Sequence, residues 1–385
     1  MGITSTVMNM GLDCHRKFSQ VSARDERGKI VWRQRLEHAD RAQLRERLAQ
    51  WPKVPVVMEA SFGWGWISDE LVTAGLAPHL ANCRKVEAWR REINSSAKSN
   101  RLDADLLGAL WTQPLRSDGS RWWEVWLAPR EVRDQRELLR YRTGLVQIQT
   151  MLKNRIHATL HRHGIVQQHS DLFGTAGRRF LSLLVGDEKQ ELLAEVGQAT
   201  LKGLLVLLDQ VRRLIATATR QFRKQVDASP AARRLMTLPG VSWILAYTML
   251  AEIGDIARFK SARHLASYSL LVPRADDSGD DDPQRPGRRI GHAGRQTLQW
   301  AFIEAAHGAV RSSPRMRRIF DDRTDGGKRD KNRGYITVAN ELSRIAYVLW
   351  SKQMDYREIN AAEAAKPKAH PDRVEFYHPM AAANA

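Results

Sequence analysis

The sequence predicts an α/β layer followed by an extended helical region, and three patterns carry that prediction. Extended segments crowd the first 60 residues. Between about 54 and 112 they alternate with helical ones. From about residue 130 onward the apolar spacing is helical.

In chain order, Thr6 to Leu12 is a short apolar run that stops at Asp13, and Phe18 to Ala23 alternates between apolar and polar residues. Asp25-Glu26-Arg27-Gly28 reads as a turn, and Lys29 to Trp32 resumes the extended pattern. A helix is expected over about 41–50. Val54 to Met58 is apolar and β-branched, the mark of a strand buried on both faces, and it stops at Glu59. A helix near 65–75, a strand near 78–82 and helical segments across 84–112 complete the layer.

Leu138, Leu145 and Leu152 are seven apart with Ile148 between them, and Leu201, Leu204, Leu208, Val211, Ile215 and Phe222 line one helical seam. Two long helices joined by a less regular stretch at 164–187 follow from this, either as a hairpin within one subunit or as a coiled coil that builds a dimer. Leu238-Pro239-Gly240-Val241 turns into an apolar helix over Ile244 to Ile253. Residues 274–294 are rich in Asp, Gly, Pro and Arg and read as a long loop, with helices expected at about 295–311 and 335–353. The expected domains are therefore 1–128, 129–228 and 229–355, with 356–385 as a flexible tail.

Sixty-one Lys and Arg against 43 Asp and Glu leave a net charge of +18, which calls for an acidic partner, nucleic acid before others. Two cysteines, Cys14 and Cys83, cannot frame a disulfide scaffold and fit a reducing cytosol. The first ten residues lack the charge and apolar run of a signal peptide, and no stretch is long and apolar enough to span a bilayer. A cytoplasmic protein without membrane contact is expected.

Asp13 and Glu59 close two strands, while Asn100 and Asp103 lie three apart at a helix start and so share one face. Acids at strand ends opposite an acid on a helix form a cradle of oxygen ligands suited to Mg²⁺ or Mn²⁺, and such ions assist phosphoryl transfer. Asp105 lies two residues along the helix from Asp103 and points elsewhere.

Gly11-Leu12-Asp13, Val57-Met58-Glu59-Ala60 and Lys98-Ser99-Asn100-Arg101-Leu102-Asp103-Ala104 resemble, in order, the motifs of the DEDD-type insertion-sequence transposases. The resemblance runs from about residue 7 to about 350. It implies an RNase H-like (RuvC-like) first domain, a helical coiled-coil middle and a mostly helical C-terminal transposase domain. It also implies that Ser278, in Leu271-Val272-Pro273-Arg274-Ala275-Asp276-Asp277-Ser278-Gly279, is the nucleophile that joins covalently to DNA. A following glycine lets backbone approach closely, but a serine hydroxyl needs a base or a metal to activate it.

The chain departs from the family pattern at Asn100, where Asp is usual, so that ligand offers a carbonyl oxygen without charge. It departs again at Gln299, where the family carries Arg. Gly287-Arg288-Arg289-Ile290-Gly291-His292-Ala293-Gly294 resembles the family's basic segment at a helix start. Arg274, Arg288, Arg289, His292 and Arg295 are then candidate phosphate contacts, as are Arg315, Arg317 and Arg318 in a second basic run.

From that family the chain is expected to be a bacterial, nucleoid-associated recombinase. It would act on donor and target DNA as a homodimer or larger assembly, guided by a structured RNA of its element. The alternatives are an RNase H-like nuclease or junction resolvase that uses water, and a catalytically impaired relative that only binds nucleic acid.

Overall fold

The computed structural model describes residues 6–93, 99–166, 168–186, 192–272, 295–360 and 373–378. They form two compact units, Met1–Arg133 and Asp134–Ala385, and the division falls in the first turn of a long helix.

The first unit is built on a six-stranded sheet. Its strands are β1 (Asn9–Cys14), β2 (Phe18–Arg24), β3 (Ile30–Glu37), β4 (Pro55–Glu59), β5 (Ala77–Ala81) and β6 (Glu124–Val125), in the order β3-β2-β1-β4-β5-β6. The first three strands run antiparallel, as tight turns between them allow. β1, β4 and β5 run parallel; a helix carries the chain from β3 into β4, and another joins β4 to β5. Val56, Val57 and Met58 are wholly buried, which is why the central strand reads as a continuous apolar run. Helices α1 (Arg41–Ala49), α2 (Trp64–Thr73), α3 (Cys83–Glu92) and α4 (Asn100–Leu110) complete the layer.

α4 lies directly on β1. A Cβ at Gly11 would sit 1.9 Å from the Ala104 carbonyl oxygen, and Gly108 faces Gly11 from the helix side. Only a glycine pair permits that approach. Trp123 is buried and donates its indole N–H to the Leu110 carbonyl at 2.9 Å, so it is a packing residue rather than a stacking platform.

The second unit is helical: α5 (Arg130–Arg162), α6 (Thr175–Leu184), α7 (Glu195–Ala228), α8 (Pro230–Leu235), α9 (Trp243–Ile253), α10 (Ala262–Tyr268), α11 (Gln296–Ser312), α12 (Pro314–Thr324) and α13 (Lys331–Ser351). The seam of α7 closes within the chain. Leu201, Leu205 and Leu208 share a buried cluster with Leu152, Ile156 and Leu160 of α5 and with Leu181 and Leu184 of α6. Ile148, expected among the seam residues, is 42% exposed instead. The connection at 164–187 contains a helix, α6, because its own leucines fill the wedge between the two long helices.

One helix was not anticipated and one expectation is corrected. The basic run at Arg315 to Arg318 is part of a helix, α12, started by the N-cap Ser313 and by Pro314. The stretch from 356 is not tail throughout, since β7 (Asp355–Asn360) and β8 (Arg373–His378) pair in parallel. β7 is held because the Glu358 carboxylate accepts from the Ser313 hydroxyl and the Arg315 N–H, each at 2.7 Å, at the positive end of α12. Among the described residues no helix is long and apolar enough to cross a membrane.

Candidate active site

The site is set by register. Gly11 pairs with Val57 and Leu12 with Met58 in the parallel β1–β4 ladder, so Asp13 and Glu59 follow side by side at the C-terminal ends of their strands. That is the end of a parallel sheet where ligands bind. The Gly11–Gly108 approach then fixes α4 above β1. Ser99 caps the helix by accepting from the Leu102 N–H at 3.3 Å, so the helix starts at Asn100 and brings Asp103 over the strand end one turn later.

Asp13 and Asp103 are brought together. Burial holds the Asp13 carboxyl above the ordinary carboxylate range, His15 opposes the shift, and the like charge of Asp103 adds to it. Two nitrogen-bearing side chains stand among these acids. Arg90 of α3 pairs with Asp103 at 2.6 Å, and His15 Nε2 lies 2.9 Å from Asp13. Glu59 faces α3, where burial and then the Glu59 charge push the Cys83 thiol up. Asn100 is exposed at the helix start.

Among the described residues no three His, Cys, Asp or Glu side chains converge as a ligand set for a metal ion. The donor chemistry nonetheless suits a hard divalent cation. The acids are oxygen donors, and the Asp13–Asp103 repulsion is what a cation relieves. Arg90 already stands there as a monovalent one. Asp105 is excluded from the site. It is buried, accepts from Arg33 Nε at 3.0 Å and Nη2 at 2.6 Å, and its backbone carbonyl accepts from Arg24 at 2.9 Å. Arg90 carries no sequence signal of its own, since it meets Asp103 only through the packing of two helices, whereas His15 lies two residues after Asp13, on the same face of an extended chain. The Gly11–Gly108 seat was legible as a glycine two residues before Asp13 and another on the helix that carries Asp103.

Ser278, Arg274, Arg288, Arg289 and His292 lie outside the described residues. Arg295 caps α11, donates to the Tyr268 hydroxyl at 2.8 Å and lies 3.5 Å from the buried Glu252 carboxylate. Gln299, standing where the resembled family has Arg, donates to the Leu270 carbonyl at 2.8 Å and ties α11 to the end of α10. Arg315 is engaged internally by Glu341 at 2.6 Å. Arg317 and Arg318 are half exposed and face Asp321 and Asp322 one turn along α12, at 2.9 and 3.9 Å. Gly240, at φ 76°, packs against Ala305 and Gly308 of α11, so the Leu238-Pro239-Gly240-Val241 turn is used in helix packing.

The chain is similar to known proteins in both units. A family profile for the DEDD domain of IS110-type elements, described as "Transposase", matches residues 10–165. A second, described as "Transposase IS116/IS110/IS902 family", matches residues 232–321. Among curated proteins, a "Probable family 20 transposase" of Pseudomonas aeruginosa is 26% identical over 350 residues, covering 90% of this chain and 98% of the relative. The "Transposase for insertion sequence element IS1111A" of Coxiella burnetii is 25% identical over 358 residues, 90% of this chain and 91% of that protein. A "Pilin gene-inverting protein" of Moraxella bovis is 31% identical over 119 residues, 31% of this chain and 36% of the relative.

Proposed function

The chain belongs to the IS116/IS110/IS902 family of DEDD transposases, enzymes that act on DNA, and from that premise we propose that it cuts and rejoins DNA through Ser278. The Ser278 hydroxyl attacks a backbone phosphorus, a serine–phosphate ester forms, and the P–O bond to the departing strand breaks as that strand's hydroxyl takes up a proton. Attack by the hydroxyl of a second strand then reverses the ester and frees the serine. Asp13, Glu59 and Asp103, with Asn100 as a neutral oxygen donor, would hold Mg²⁺ or Mn²⁺. Such an ion polarises phosphate oxygens and offsets charge in phosphoryl transfer. Arg295, Arg317 and Arg318, together with Arg274, Arg288, Arg289 and His292, would contact the DNA backbone. A structured RNA of the element would choose the sites, and the working unit would be a homodimer or larger.

The observation that carries this proposal is the approach of Asp13 and Asp103 at the C-terminal end of the sheet in a DEDD domain. The test uses the full chain with Mg²⁺ and DNA carrying an end of its element. Denaturing gels should show a protein–DNA adduct that disappears in Ser278→Ala, and Asp103→Ala should abolish strand exchange. Cutting that persists in Ser278→Ala would instead support a nuclease that uses water. Asn100 favours one further alternative, an impaired relative that only binds. An inert chain that gains activity with Asn100→Asp would establish it.

A further inference from the structure

Beside the acids stands an aromatic side chain to which packing assigns no task. Phe62 is 81% exposed, the most open aromatic among the described residues. It lies three residues after Glu59 in the loop that leads from β4 into α2. Two contacts hold that loop against the acidic edge. The Ala60 N–H donates to the Ala81 carbonyl at 2.8 Å, which fixes the chain directly after Glu59. Gly63, at φ 85°, starts α2, and a Cβ built on it would be 3.4 Å from Cys14 Sγ, the residue after Asp13. The loop therefore touches the ends of both acid-bearing strands. The other aromatics of the segment, Trp64 and Trp66, are half-buried against the core. Phe62 alone is turned outward.

We propose that Phe62 is a base-stacking residue, which holds an unpaired DNA base next to the phosphate placed at Asp13, Glu59 and Asp103. The proposal rests on the reading of those acids as the DNA-cutting site. A ring at the rim of a phosphate-handling edge offers a face to a base attached to the bound phosphate. Stacking of this kind tolerates any base sequence, which suits an enzyme whose target is chosen by other means.

The test uses the full chain and an oligo-dT strand carrying a single 5-iodo-deoxyuridine, a base that crosslinks under light to an aromatic ring stacked on it. Peptide mapping should place the adduct on Phe62. Phe62→Ala should lose the adduct and bind the strand about tenfold more weakly, while Phe62→Trp should restore both. Because the side chain is exposed, circular dichroism should show both variants folded. An adduct confined to other residues, with unchanged binding by Phe62→Ala, overturns the proposal, as does crosslinking only to a matching RNA strand. Asp103→Ala should lose strand exchange. Exchange that survives in Asp103→Ala overturns the reading of the acids, whatever the adduct shows.

Discussion

Two acids two residues apart on one helix have opposite lives. Asp103 faces Asp13 across the strand end, whereas Asp105 is buried against Arg33 and Arg24. The helical period separates them, and that much was legible in the sequence. What Asp105 does instead was not, since its partner Arg33 is 72 residues away in the chain. Asp105→Asn should lower stability by about 1–3 kcal/mol in urea unfolding, through loss of charge-assisted hydrogen bonds, and should leave Mg²⁺ binding by calorimetry unchanged. Lost metal binding with unchanged stability would place Asp105 in the site after all. Arg315 shows the opposite outcome. Its sequence neighbours suggest a phosphate contact, yet its guanidinium meets Glu341 and its backbone N–H meets Glu358, neither of them near in sequence.

At the scale of elements, the long apolar periods were the readable part. β1, β2, β4, α2, α9 and the two long helices α5 and α7 lie where spacing and turn residues put them. β6 is only two residues long and leaves no period to detect. α12 was hidden because its apolar contribution is mainly Met316 and Phe320 in an arginine-rich run, although Ser313-Pro314 is a helix-start signal. The element that matters most for the site is the β1–α4 pair, whose spacing is set by Gly11 and Gly108. Gly11→Ala would place a methyl group 1.9 Å from the Ala104 carbonyl oxygen. The helix must then move off the strand, at a cost of about 1–3 kcal/mol, carrying Asp103 away from Asp13. Thermal unfolding should register the loss and strand exchange should fall with it. A Gly11→Ala protein with normal stability and activity would show that the close approach is dispensable.

At the scale of the whole molecule, the charge of +18 is the dominant property, and it speaks of association rather than of fold. Nucleic-acid affinity should fall linearly in log–log terms as salt rises, with a slope of about −0.9 for each duplex phosphate neutralised. Fluorescence anisotropy across a salt series measures it, and a flat response would mean that the basic surface is not where nucleic acid binds. The sequence by itself determined the alternation of strand and helix, the identity of the acids at the strand ends and the family to which they belong, because periodicity and short motifs are local properties. Only the tertiary structure decided that Arg90 sits among those acids, that Asp105 is an internal ion-pair partner, that Glu358 pins the chain onto α12 and that Phe62 is left exposed at the acidic edge. Each of these depends on which groups meet across packed elements, and such meetings are fixed by close approach and burial in three dimensions, which no run of neighbouring residues encodes.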